Sequence, residues 1–142
     1  MFSTSHFHPM VVHFPIALIL LGFGAELAFL IYKKEVCLSK MAFWLLILAA
    51  IAALAAFLTG EFFTSEMTGS AGDVQETHEL FANIAIWTTV ANAIFRILLK
   101  IIKKEDGGLR WISFVIFGVS AIAVSIAGLY GGYLVYSYMM PL

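Results

Sequence analysis

The sequence predicts an all-α integral membrane protein, a bundle of four transmembrane helices with both termini extracytoplasmic. Three observations predict it. Of the 142 residues, 62% are hydrophobic and 12% charged, against about 25% charged in soluble proteins. A chain this short has no core large enough to hide so much apolar surface from water. Four apolar stretches reach the roughly 20 residues that a spanning helix needs, and none alternates like a transmembrane β-strand. Lipid offers the backbone no hydrogen bonds, so each stretch satisfies its own as a helix. The third observation is where the charges fall.

Taken in order, the first helix is expected over residues 9–32. Pro9 suits the first helical position after a capping His8, and Pro15 removes a backbone donor within the opening turns. No basic segment or small-residue cleavage site marks this run as a signal peptide, so it is expected to be retained. The second helix is expected over 41–59. The third is expected over 76–102, with Asp73 and Glu76 as a capping pair ahead of an apolar stretch that begins at 79. The fourth is expected over 111–136, with Gly128 and Gly132 as a small-xxx-small pair for helix packing. Residues 1–142 show no repeat or low-complexity tail and read as one domain.

Lys33, Lys34 and Lys40 lie between the first two helices, and Lys100, Lys103, Lys104 and Arg110 between the last two. The remaining connection, 60–77, has no Lys or Arg and carries Glu61, Glu66, Asp73 and Glu76. The positive-inside rule puts both basic connections in the cytoplasm and the acidic one outside. Trp44 and Trp111 near the inner ends, and Tyr130, Tyr133, Tyr136 and Tyr138 at the outer end, fit interfacial belts. The lone Cys37 excludes an internal disulfide and a cysteine metal site. A net charge of -1 gives no footprint for nucleic acid.

All four histidines, His6, His8, His13 and His78, gather at the outer end in this topology. Two charges inside apolar stretches supply a depth ruler. Glu26 precedes Lys33 by seven residues, and Arg96 precedes Lys103 by seven. The two therefore sit at similar depth, where pairing relieves two costly charges. Aligned on that pair, His8 and His78 fall level, each 18 residues outward. His13 lies five residues deeper than His8, about 7.5 Å along a helix. The five-residue spacing puts His8 and His13 on different helix faces, so they do not chelate as an i, i+4 pair.

Imidazole is the common protein ligand for haem iron, zinc and copper, and bundle cofactor sites are built from facing helices. Glu61, at the outer end of the second helix, adds a carboxylate for a metal or a proton. Structural readings stand beside these. His6 and His78 suit a water-facing interface, and His8 suits a simple cap. His13, turned toward the bundle interior by the proline bend, suits a bond to the carbonyl freed by Pro15 or to Glu61, and Glu26 with Arg96 suits a structural lock.

The opening run His8-Pro9-Met10-Val11-Val12-His13-Phe14-Pro15 resembles a bacterial four-helix membrane domain of unknown function. Its members begin with a His-Pro-x-x-Val-His-Phe-Pro signature. Thr59-Gly60-Glu61, His78 and Gly131-Gly132-Tyr133-Leu134-Val135-Tyr136 extend the likeness over essentially the whole chain. Such domains are often joined to c-type cytochrome-like or Rieske-type iron–sulfur domains. The resemblance implies work in or beside an electron-transfer chain of the bacterial inner membrane, and it singles out His8, His13, Glu61 and His78. No redox domain lies within these 142 residues, so a partner is expected to supply one.

The leading functional expectation is a small redox-associated protein holding haem b, or else a copper or zinc ion, near the outer face. His8 or His13 and His78 would be the ligands, with an extracytoplasmic cytochrome, a quinone or respiratory-complex subunits as partners. Two other readings stay open. One is a non-catalytic accessory subunit without any cofactor, packed in a larger complex or a homo-oligomer. The other is a proton or metal-ion transporter using Glu26 and Arg96. No nucleophile–base pair, phosphate loop or dinucleotide fingerprint points to an enzyme.

Overall fold

The computed structural model describes residues 7–139; His6 lies outside them. A short helix, α1 (Phe7–Val11), leads into α2 (His13–Ile31), and the two make the first span. Pro15 has no N–H for the Val11 carbonyl, and the single break in the span falls at Val12. A tight turn at 32–35 follows, closed by Glu35 N–H on the Tyr32 carbonyl at 2.9 Å. The second span is α3 (Val36–Phe63), the third α4 (Ser70–Ile101) and the fourth α5 (Gly108–Leu134), which runs on into a π-helical turn (Val135–Met139). These four spans are each long and apolar enough to cross a membrane.

The helices exceed their expected limits. At 28 residues α3 is about 42 Å long, the thickness of a bilayer with its headgroups rather than of the hydrocarbon alone. Apolar composition marks the hydrocarbon, and the helices continue through the interface beyond it. The acidic connection shrinks accordingly to 64–69. Gln75 pins it, accepting from Met67 N–H at 2.8 Å while donating to Glu79 at 2.8 Å. A Cβ on Gly72 would sit 2.7 Å from the Met67 carbonyl oxygen, so only glycine lets the loop close on the first turn of α4. The expected Asp73–Glu76 cap is not formed. Gly69 holds the N-cap position at φ 67° without any side-chain cap, and Asp73 is already helical, its N–H on the Gly69 carbonyl.

Packing follows chain order around a closed ring. α2 lies along α3, α3 against α4, α4 along α5, and α5 returns to α2. The interior is built from small side chains: Ala25, Ala49, Ala53, Ala85, Ala93 and Ala121 are all buried. Ile19, Leu46 and Phe117 fill what remains. Larger residues such as Leu21, Ile51, Ile122 and Leu129 point outward. That inside-out distribution suits helices whose backbones approach closely in lipid, where no hydrophobic drive separates core from surface. Gly22 shows the tightness, since a Cβ there would lie 2.7 Å from Phe117 Cζ.

Candidate functional site

The bundle brings two sets of polar side chains together, one near each end. At the end bearing the 64–69 loop, His8 of α1 and His78 of α4 meet with ring centroids 6.5 Å apart and planes at 82°. His8 Nδ1 lies 3.0 Å from Thr59 Oγ1, and that hydroxyl gives its own proton to the Ala56 carbonyl at 2.9 Å. Thr59 can therefore only accept, and His8 donates from Nδ1. His78 Nδ1 is 2.8 Å from the Ala127 carbonyl, which also can only accept. In the neutral ring each Nδ1 then carries the proton and each Nε2 keeps its lone pair.

Two glycines receive the rings. A Cβ on Gly60 would lie 3.2 Å from His8 Cε1, and one on Gly131 would lie 3.0 Å from His78 Cε1. Helix α3 thus gives His8 both its acceptor and its seat, from the adjacent Thr59 and Gly60. Helix α5 does the same for His78 through Ala127 and Gly131, one turn apart. A side-chain hydroxyl thus orients His8 and a backbone carbonyl orients His78.

The other candidates of this end stand apart. His13 is exposed and bonds the Pro9 carbonyl one turn back at 2.6 Å. It neither turns inward nor meets the carbonyl freed by Pro15, which is that of Val11. Glu61 is exposed. Among the described residues no third His, Cys, Asp or Glu joins the pair as a metal-binding group. In the expected glycine pair, Gly128 touches Ile16 across to α2, whereas a Cβ on Gly132 would meet nothing within 4 Å. The close helix contact of this stretch falls one residue earlier, at Gly131.

At the basic end Glu26 is buried and receives two arginines. Arg96 donates from Nη1 to Glu26 Oε1 at 3.0 Å. Arg110 grips both oxygens, Nε to Oε1 at 2.7 Å and Nη2 to Oε2 at 3.0 Å, while Nη2 also reaches Ser39 Oγ at 2.9 Å. Its guanidinium lies over the Phe29 ring, 4.1 Å from the centroid. Sequence reasoning placed Arg110 among loop charges and missed this role. The available signal was its type: an arginine among lysines, carrying the planar fork that a carboxylate takes bidentately. One and two turns along α4 from Arg96, Asn92 accepts from Ser113 Oγ at 2.7 Å and Thr89 is fully buried.

No curated protein and no solved structure matches the chain at a significant level. A family profile described as "Predicted membrane protein (DUF2231)" matches residues 4–141. With nearly its whole length matched and four membrane-spanning helices in its fold, the chain belongs to this DUF2231 family of membrane proteins.

Proposed function

We propose that this membrane protein binds a b-type haem, or a copper ion in its place, which His8 and His78 would hold. In this reading it carries electrons at the extracytoplasmic face. One observation carries the reading: both imidazoles hold Nδ1–H on fixed acceptors and leave Nε2 without a hydrogen bond among the described residues. That is the arrangement in which metal-ligating histidines are oriented by their second nitrogen.

The donor set fits. Two protein nitrogens are what a haem iron needs beyond its macrocycle, whereas a structural zinc asks for four protein ligands. The two imidazoles come from different helices and lie with ring centroids 6.5 Å apart, so both would be available to one group. When bound, the haem supplies a one-electron couple. The chain's own residues orient the ligands: Thr59 and the Ala127 carbonyl hold the rings, and Gly60 and Gly131 admit them. The positive-inside rule, applied to the basic connections, supports an extracytoplasmic position for this end. There an extracytoplasmic cytochrome, or a quinone in the adjacent lipid, is within reach.

Oxidised and dithionite-reduced absorbance spectra of detergent-purified protein, with metal analysis of the same sample, test the proposal. A Soret band with reduced α and β bands, lost in both His8→Ala and His78→Ala, is the expected result. Stoichiometric copper without a chromophore selects the ion. Protein with neither leaves the histidines structural and passes the lead to the accessory-subunit reading.

A further inference from the structure

The buried charged cluster near the basic end holds two guanidinium groups and one carboxylate. Glu26, Arg96 and Arg110 are 1%, 2% and 6% exposed, so one carboxylate faces two guanidinium groups in a buried setting. Glu26 is also unevenly shared. Arg110 takes both of its oxygens with the Nε/Nη2 edge, the edge that grips anions side-on, and Arg96 is left a single bond from Nη1.

On Arg96 the same Nε/Nη2 edge is buried and has no partner among the described residues. One helical turn back on α4, Asn92 spends its carbonyl on Ser113, and its Nδ2 is buried and unpartnered as well. Every unpaired nitrogen of this cluster is a donor. Buried donors of this kind are rare in folded proteins, and each has a cost that only an acceptor removes. A neutral acceptor meets the hydrogen bonds, but only an anion meets the surplus charge as well, and in lipid that surplus is expensive.

We propose that a small monovalent anion binds between the Nε/Nη2 edge of Arg96 and the amide of Asn92. The fork edge accepts a halide or, side-on, a planar oxyanion such as nitrate or formate. At that end of the bundle Lys33, Lys34, Lys40, Lys100, Lys103 and Lys104 outnumber Glu35, Glu105 and Asp106, and the net positive charge favours anions there.

The test is thermal unfolding of the detergent-purified chain in sodium gluconate, chloride, bromide, nitrate and formate at one ionic strength. Binding to the folded state alone raises the melting temperature. A rise of several degrees in the small anions over gluconate is expected, and the larger rise, halide or oxyanion, names the class. Asn92→Leu keeps the charge and removes a donor, so it should shrink the rise; Arg96→Gln should abolish it. If Arg96→Gln does not fold, anomalous diffraction from bromide-grown crystals gives the second reading, with density expected at Arg96. Equal melting temperatures in all five salts, with no bromide beside Arg96, would mean that water alone meets these donors and would overturn the proposal. The haem or copper test is unaffected by either result.

Discussion

At His8 the tautomer is decided by a hydroxyl that has already given its own proton away. Thr59→Val removes the acceptor of Nδ1–H, and affinity for the proposed haem or copper should fall about 10- to 100-fold, measured by competition with apomyoglobin or a chelator. The glycines make a paired prediction. Gly131→Ala drives a methyl to 3.0 Å from the His78 ring and should cost about 1–3 kcal/mol of stability. Gly132→Ala meets nothing and should be neutral, or stabilising by up to about 1 kcal/mol; chemical denaturation in detergent reads both. Arg110→Lys keeps the charge but loses the fork on Glu26, the Ser39 bond and the contact with Phe29. It should lower stability by about 2–3 kcal/mol in the same assay. At this scale the sequence exposes the titratable residues and hides their partners. His8 and His78 stand out by type, while Thr59, Gly60 and the Ala127 carbonyl become specific only through contacts 49 and more residues away in the chain.

Helix ends obey local chemistry that hydropathy does not record. α4 closes with Lys103 at φ 55°, its N–H on the Lys100 carbonyl, and with Lys104 N–H on the Leu99 carbonyl at 2.9 Å. This is a Schellman closure with a lysine where glycine is usual. Lys103→Gly should therefore raise stability by up to about 1 kcal/mol, read as a shift of the denaturation midpoint at unchanged slope. The break at Val12 was legible, because Pro15 names the carbonyl that loses its donor. The start of α4 was not. Asp73 with Glu76 looks like a cap, but the helix begins at Ser70 behind a glycine whose positive φ leaves no side-chain signature.

Across the whole molecule one register orders both polar clusters. Equal spacing of Glu26 and Arg96 from the basic ends sets two parallel helices in register, and the same register brings His8 and His78 level. Arg110 escaped it by lying at a helix start, where an arginine passes for a surface charge. Sidedness has a direct test in Cys37, the only cysteine, exposed at the basic end. A membrane-impermeant maleimide should label it in inverted vesicles and not in intact spheroplasts; labelling in spheroplasts would reverse the topology. The buried carboxylate also bears on how the protein is made. Glu26 leaves the ribosome 70 residues ahead of Arg96 and 84 ahead of Arg110. An acidic residue inside a spanning helix raises the insertion free energy, by about 3 kcal/mol at the centre and less toward an end, so α2 enters the membrane with a cost that only the last two helices offset. Synthesis order thus leaves a nascent chain stalled after α3 with an unmet carboxylate, and the cluster closes only when the final helix delivers Arg110.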